Sequence, residues 1–229
     1  MVKDKSDITI KTYNNIVQEY ISYFKTKQLD GKVQFQREIN YLVKHLSNNS
    51  TILDVGTATG DYPKYLTEQC KKNFKVTGID AAPNMIREAK KKSPKANFAI
   101  MDMRNIKYDK NSFDAIICFA TLIHVNDNDC IKILNKFNSL LKDSGIIIIN
   151  VLEHKNNKKE IFESEPFNPK YKTFFNRYKK NFFTEYFTKK RYQILKFYNN
   201  PIFNKAAMKT KVTNDNQFSI IVKKFTTQK

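Results

Sequence analysis

The sequence has 229 residues, of which 41% are hydrophobic, and a formal net charge of +19 at pH 7. This length supports one substantial core, and the lack of an apolar run of about 18 residues argues against a helix that crosses a membrane. The three cysteines and three histidines lack the spacing of metal ligands, and no signal-peptide core is present, so we expect a cytoplasmic protein without disulfides or a metal site.

Two helical patterns precede the first predicted strand. In residues 13–24, and again in residues 33–46, apolar side chains recur every three or four positions, which is the spacing of one face of a helix. A polar break at residues 47–50 ends the second pattern. We therefore expect residues 1–48 to form a helical cap.

Residues 51–153 alternate between strand and helix patterns. The predicted strands are residues 51–55, 75–80, 97–102, 113–120 and 146–153. The predicted helices between them are residues 62–73, 82–93 and 128–145. Because the strands are continuous apolar runs, they predict an α/β fold with a mostly parallel sheet and helices on both faces. In such sheets, ligands bind beyond the carboxyl ends of the strands.

The last third of the chain has a less regular pattern. Residues 155–170 are polar and predict a long loop, residues 178–200 contain a helix and then a strand at 192–198, and residues 217–225 predict a closing strand. No linker or repeat divides the chain. We therefore expect a single domain over residues 1–229, with the cap at 1–48, a core at 49–155, and a C-terminal helix and closing strands at 156–229.

Two glycines follow the first predicted strand, in the stretch TILDVGTATGDYPKYL at residues 51–66. Glycine in a strand-to-helix turn indicates a left-handed backbone or a backbone that lies close to a ligand. The G-x-G-x-x-G spacing of a dinucleotide loop is absent, and no G-K-[ST] follows as in a P-loop. The loop therefore belongs to a different kind of ligand site.

Four stretches in order give a more specific pattern: ILDVGTATGDY (52–62), VTGIDAAPNMI (76–86), NFAIMDMRNI (97–106) and FDAIICFATLIHV (113–125). Together they resemble the class I S-adenosylmethionine-dependent methyltransferases, in particular the small members whose glycine loop reads D-x-G-x-G-x-G. The resemblance covers about residues 10–155, and Ala58 departs from it where the family has a second glycine. It implies a Rossmann-like sheet of seven mostly parallel strands, the last of them antiparallel.

The resemblance also implies a site for S-adenosylmethionine. The methionine part of this cofactor is expected to lie against the backbone of Gly56–Gly60, its ribose against Asp80, and its adenine against Asp102, the N–H group of Met103 and the side chain of Met85. Roles as turn residue, helix cap or core side chain are the alternatives at these positions. The residues predicted to bind the cofactor are Gly56, Thr57, Ala58, Gly60, Asp80, Ala81, Met85, Asp102, Met103 and Phe119.

The family does not fix the methyl acceptor, and few residues are candidates for its site. Phe119, at the end of the fourth strand, is expected to border the sulfonium and the mouth of the acceptor pocket. His124 is a candidate general base, and the alternative is a structural histidine that holds the loop. Tyr13 and Tyr20 are expected to line the acceptor pocket or else to pack on the sheet. Arg104 is expected to lie on the surface.

Three functions are compatible with these patterns. The predicted one is methyl transfer by in-line displacement to a small-molecule acceptor. The second is methylation of RNA, such as tRNA, by the basic residues 151–229, which include 18 basic and 6 acidic side chains. The aromatic and basic residues of 171–187 would then bind RNA; otherwise they form a helix with an apolar face on the sheet. The third is binding of S-adenosylmethionine without catalysis.

Overall fold

The computed structural model describes residues 4–25, 33–155, 158–200 and 216–226 of the chain. The strands in these residues are β1 Thr51–Val55, β2 Lys75–Asp80, β3 Asn97–Ile100, β4 Phe113–Phe119, β5 Leu141–Leu152, β6 Glu160–Glu165, β7 Asn168–Asn176, β8 Tyr192–Asn200 and β9 Gln217–Lys224. Seven of them form one sheet in the order β3-β2-β1-β4-β5-β9-β8. Strands β1 to β5 pair in parallel, and β9 is antiparallel to both of its neighbours. The predicted sheet, with its antiparallel last strand, is therefore confirmed.

Helices cover both faces of this sheet, as predicted. They are α1 Lys5–Asn15, α2 Val17–Lys25, α3 Gln36–His45, α4 Asp61–Lys64, α5 Pro83–Lys92, α6 Asp127–Leu140 and α7 Lys180–Lys189. Apolar residues of α6 and α7 pack with Ile116 and Cys118 of β4 in one core, and those of α3 pack with Ala115 and Ile117 in the other. Because alternate residues of a strand enter opposite cores, the strands read as continuous apolar runs.

The polar stretch at residues 155–170 is not the long loop that its composition predicts. Its described part contains β6 and the start of β7, which form a separate two-stranded antiparallel sheet. Pro166 and Phe167 lie in the turn between these strands. This two-residue turn lacks the Asn-Gly or Asp-Gly pair that signals a hairpin in a sequence, so the polar composition alone indicated a loop.

The first helical segment is also divided differently from the prediction. The sequence predicts one helix at residues 13–24, whereas α1 begins at Lys5 and is separated from α2 at Ile16. The buried residues of α1 are Ser6, Thr9 and Thr12. Since these side chains are small and polar, no apolar periodicity could reveal the helix.

The α1 helix is attached to its neighbours through the same hydroxyl groups. Oγ of Ser6 donates a hydrogen bond to the carbonyl oxygen of His124 at 3.2 Å, and Oγ1 of Thr12 donates to that of Lys172, on β7, at 3.3 Å. The N-terminal helix and the β6–β7 hairpin are therefore bound to each other as well as to the rest of the protein.

Some boundaries near the sheet differ from the predicted ones. The helix predicted at residues 128–145 ends at Leu140, and β5 begins directly at Leu141. Across the described ranges, we find no helix with the length and apolarity of a membrane span. The division of residues 1–229 into the three parts of a single domain stays a prediction.

Candidate active site

A cavity of about 490 Å³ lies beyond the carboxyl ends of β1, β2 and β4. The loop after β1 and the residues after β2 form one wall, α1 and α2 form a second, and the β6–β7 turn forms a third. This volume is within the range of roughly 300–1,000 Å³ that is usual for small-molecule sites. The cavity is therefore at the edge of the sheet where the strand pattern predicts a ligand.

Gly56 has a left-handed backbone conformation, with φ of +73°. A Cβ atom at this position would lie 2.2 Å from Oγ1 of Thr121, so the packing of the protein itself requires glycine. The N–H groups of Gly56 and Thr57 both donate to the carbonyl oxygen of Ile79, at 2.8 and 2.9 Å. The loop is thereby attached to β2, and Gly56, Thr57 and Ala58 line the cavity.

Ala58 and Gly60 continue the loop in the left-handed region, with φ of +46° and +79°. Ala58 stands where the D-x-G-x-G-x-G pattern has a glycine, and its left-handed conformation costs about 1–2 kcal/mol in a residue with a side chain. A Cβ atom on Gly60 would lie 3.1 Å from Cβ of Ala89 on α5. Among the described residues, the cavity lining includes Ala58 but not Gly60, which packs the loop against α5.

Asp80 ends β2 with its carboxylate between the glycine loop and α5. Oδ2 accepts the N–H of Ala58 at 3.0 Å, and Oδ1 accepts the N–H of Ala82 at 2.9 Å. Burial raises the pKa of Asp80 to about 6, although these two N–H groups act in the opposite direction. Each carboxylate oxygen keeps a further lone pair, so Asp80 can also accept hydrogen bonds from two ligand hydroxyls.

Arg104 connects the end of β3 to α1. Its backbone N–H and Nε donate to Oδ1 of Asp102, at 2.8 and 3.1 Å, and its Nη2 donates to Oδ2 at 2.6 Å. The same guanidinium binds Asp4 at 2.7 Å and Asp7 at 2.8 Å. The Arg104 side chain is 23% exposed, and its partners Asp4 and Asp7 are 49% and 63% exposed, so it lies at the surface as expected, but in a network of ion pairs. Asp102 and Arg104 both line the cavity, and α1 is thus attached to the side predicted for adenine.

The other residues predicted to bind the cofactor reach the same cavity. They are Ala81, Met85, Met103 and Phe119. Met85 is buried and packs with Val17 of α2. The ring of Phe119 stacks on that of Phe35, with centroids 5.1 Å apart. The structure brings these side chains together around one space, and their contacts with the cofactor stay predictions.

The residues predicted for the acceptor side, His124, Tyr13 and Tyr20, also line the cavity. The rings of Tyr13 and His124 meet edge to face, with centroids 5.2 Å apart. Nδ1 of His124 lies 2.8 Å from the carbonyl oxygen of Phe174, which can only accept, so Nδ1 carries the proton of the neutral ring. Burial lowers the pKa of His124 to about 4. At neutral pH this histidine is therefore an uncharged, weak base with a structural hydrogen bond.

Two residues of the β6–β7 turn line the cavity and were missed by the sequence analysis. Glu165 is buried, Oε2 accepts the hydroxyl of Thr173 at 2.9 Å, and burial raises the pKa of Glu165 to about 7. Phe167 belongs to an aromatic cluster with Tyr20, Tyr23 and Phe24, all of which line the cavity. Recognising the hairpin would have placed both residues at its turn.

Comparisons with known proteins agree with this geometry. A family model described as a methyltransferase domain matches residues 52–145. The chain is 24% identical over 151 residues to the demethylmenaquinone methyltransferase of Thermotoga maritima, in a match that covers 66% of this chain and 64% of that protein. The chain spans less than two thirds of the length of the curated relatives it matches.

Solved structures share the fold over most of the chain. An S-adenosylmethionine-dependent methyltransferase from Methanosarcina mazei has a TM-score of 0.66 at 16% identity, covering 81% of this chain and 97% of that one. The 1,6-didemethyltoxoflavin-N1-methyltransferase of Burkholderia thailandensis, with bound 1,6-didemethyltoxoflavin and S-adenosylhomocysteine, has a TM-score of 0.66 at 13% identity, covering 99% and 92%. The family model that matches residues 52–145, the curated relatives and this shared fold together support a class I S-adenosylmethionine-dependent methyltransferase.

Proposed function

We propose that this protein transfers the methyl group of S-adenosylmethionine to a small-molecule acceptor. The observation that carries this proposal is that one cavity of about 490 Å³ includes both sets of predicted residues. Asp80 and Asp102 line it on the cofactor side, and Tyr13, Tyr20 and His124 line it on the acceptor side. Because α1, α2 and the β6–β7 turn cover the acceptor side, the space suits a small molecule.

The residues of the cavity fit the cofactor of the family. Gly56 has no side chain to fill the space, and Asp80 has free lone pairs for the ribose hydroxyls. Asp80 lines the cavity, and its negative charge favours a sulfonium ligand, whereas the charge of Asp61 is paired with Lys92. When bound, S-adenosylmethionine supplies a methyl group on positively charged sulfur for in-line displacement by an acceptor lone pair.

The burial of several aromatic rings weakens the argument for an RNA substrate. Among the aromatic candidates of residues 171–187, Tyr171, Phe182 and Tyr186 are partly exposed. Four phenylalanines are buried: Phe174, Phe175, Phe183 and Phe187. Each is at most 3% exposed, because it packs in the protein core. Residues 180–189 form α7, whose buried face is Phe183 and Phe187. This burial favours a small-molecule acceptor, since buried rings cannot stack on bases.

Transfer of a radiolabelled methyl group tests the proposal. The protein is incubated with labelled S-adenosylmethionine and cell extract, and the products are separated into RNA, protein and small molecules. We expect label in the small molecules, and none with Gly56→Val, whose side chain would fill the loop. Label in RNA would refute the acceptor class. Tight cofactor binding without transfer to any fraction would favour the non-catalytic alternative.

A further inference from the structure

Glu165 places an unsatisfied carboxylate oxygen in the wall of the cavity. The residue is 1% exposed and lies at the end of β6, immediately before the turn that covers the cavity. Oε2 accepts the hydroxyl of Thr173, whereas Oε1 is buried and accepts no hydrogen bond of normal geometry from the described residues. The hydroxyl of Tyr13 and the N–H of Phe167 lie near the carboxylate and act to lower its pKa. Because a buried acceptor without a donor is costly, a ligand with N–H donors would stabilise this site.

The charge of Glu165 has no cationic partner in the part of the chain that the structure describes. Two of the basic side chains that line the cavity are already paired, Lys92 with Asp61 and Arg104 with three aspartates. Lys64, which also lines it, belongs to α4 next to the glycine loop. Glu165 therefore offers a negative charge that a cationic ligand can neutralise.

Aromatic rings line the same cavity as this carboxylate. Phe167 follows Glu165 by two positions in the turn, and its ring centroid is 4.9 Å from that of Tyr20, 5.0 Å from Tyr23 and 5.7 Å from Phe24. A cation within about 6 Å of such a ring is attracted by its negative face. A buried carboxylate beside clustered aromatic rings is an environment that recognises ammonium groups.

Tyr13 and Tyr20 connect this region with the cofactor side of the cavity. Burial raises the pKa of both hydroxyls, and the charges of Asp80 and Glu165 both add to this effect. Both tyrosines, Asp80 and Glu165 line the same cavity. A group bound by Glu165 would consequently share this cavity with the predicted cofactor.

We propose that the methyl acceptor is a small molecule with a primary or secondary amine, bound as an ammonium ion by Glu165 and by the aromatic cluster of Tyr20, Tyr23, Phe24 and Phe167. This inference rests on the proposed methyltransferase function and adds the class of its acceptor. It also makes Glu165 a catalytic residue, because its carboxylate contacts the reacting nitrogen.

Glu165 has the chemistry to prepare this nitrogen for reaction. One N–H bond of the ammonium breaks, the proton passes to Oε1, and the nitrogen keeps the electron pair. That lone pair forms the bond to the transferred methyl carbon, the C–S electron pair remains on sulfur, and the nitrogen becomes a methylated ammonium ion. Burial raises the pKa of Glu165 to about 7, which suits proton transfer near neutral pH.

Hydroxyl and carboxylate acceptors would make fewer favourable interactions at this site than an ammonium group. A hydroxyl group could give its proton to Glu165, but it would bring no positive charge to the aromatic cluster. A carboxylate acceptor would place a second negative charge beside Glu165, which is unfavourable in a buried site. An ammonium group satisfies both the unpaired oxygen and the rings.

Matched ligands test the amine preference by binding alone. The probes are 2-phenylethylamine, 2-phenylethanol and 3-phenylpropanoate, titrated calorimetrically into protein saturated with S-adenosylhomocysteine. We expect the amine to bind the unmodified protein at least tenfold more tightly than either other probe, and Glu165→Gln to lose this preference. Glu163→Gln is the matched control, since Glu163 lies on the same strand but is not in the cavity lining.

The affinity for S-adenosylhomocysteine is measured first for each protein, so that the two proposals fail separately. If the unmodified protein does not bind it, the proposed function and this inference are both wrong. If it binds but the amine shows no tenfold preference, or Glu165→Gln retains that preference, the amine inference alone is wrong. Should Glu165→Gln not fold, Phe167→Leu takes its place, with an expected loss of at least threefold in amine affinity; unchanged affinity refutes the inference.

Discussion

Replacing Gly56 with alanine tests whether the glycine loop is required by the protein itself. The added Cβ atom would lie 2.2 Å from Oγ1 and 2.4 Å from Cγ2 of Thr121, and φ of +73° strains any residue with a side chain. The left-handed conformation costs about 1–2 kcal/mol and the overpacking about 1–3 kcal/mol. We therefore expect Gly56→Ala to lower the free energy of unfolding by about 2–5 kcal/mol.

Thermal and urea denaturation measure this loss without any cofactor. In a chain of this length 1 kcal/mol shifts Tm by about 2–4 °C, so we expect a decrease of roughly 5–15 °C. Thr121→Gly removes the side chain that the new Cβ would meet and leaves the φ strain in place. In a protein that already carries Thr121→Gly, adding Gly56→Ala should therefore cost only the part of the unfolding free energy that comes from φ strain, without the part that comes from overpacking.

Gly60→Ala is the matched comparison, because its φ is also positive but its Cβ would approach Cβ of Ala89 only to 3.1 Å. We expect a smaller loss, of about 1–2 kcal/mol, mainly from the backbone conformation. If Gly56→Ala is as stable as the unmodified protein, or if Thr121→Gly does not rescue it, the reasoning is refuted. The glycine would then serve the ligand alone.

Three further predictions concern residues around the cavity. Asp80→Asn should weaken S-adenosylhomocysteine binding by about 1–3 kcal/mol, because it replaces a charged acceptor by an amide; unchanged affinity in calorimetry would remove Asp80 from the site. His124→Gln should remove about 3 kcal/mol of the decrease in unfolding free energy between neutral and acidic pH, because unfolded histidine takes up a proton near pH 6.5 and buried His124 near pH 4. Denaturation of both proteins at pH 4.5 and 7 measures this difference. Arg104→Gln should speed amide hydrogen exchange in α1, since it removes the ion pairs to Asp4 and Asp7; unaltered exchange would show that these pairs do not hold the helix.

The contribution of His124 to stability changes with pH in the opposite direction from that of the buried carboxyl groups. Its folded pKa is lowered, so it contributes stability above pH 6.5 that is lost as the pH falls towards 4. The pKa values of Asp80 and Glu165 are raised to about 6 and 7, so their contribution is present at low pH and is lost as the pH rises. The difference between His124→Gln and the unmodified protein therefore isolates the histidine.

The cofactor side of the cavity could be predicted from sequence because its residues have fixed places relative to recognisable strands. Gly56 directly follows β1, and Asp80 ends β2. Both strands are apolar enough to identify without structural information, and parallel neighbours bring their carboxyl ends to one edge of the sheet. For Gly56 and Asp80, the local sequence pattern and the position at the edge of the sheet therefore lead to the same prediction.

The acceptor side could not be predicted in the same way, because long-range pairing creates it. Ser6, Thr9 and Thr12 bury a helix face that has no apolar signal. Glu165 lies in a stretch whose composition predicts a solvated loop, and it becomes buried only when β6 pairs with β7. Arg104 seemed an ordinary surface residue until α1 supplied Asp4 and Asp7. Each case depends on a segment that is distant in the chain.

Hydrogen bonds at Thr9 and Thr12 join α1 to β7, which lies more than a hundred residues away in the chain. A displacement of either segment must therefore move both, or break these bonds. Neither segment contributes a strand to the seven-stranded sheet. Substitutions in this joint cover can therefore change the shape of the cavity without changing the strands that hold the glycine loop and Asp80.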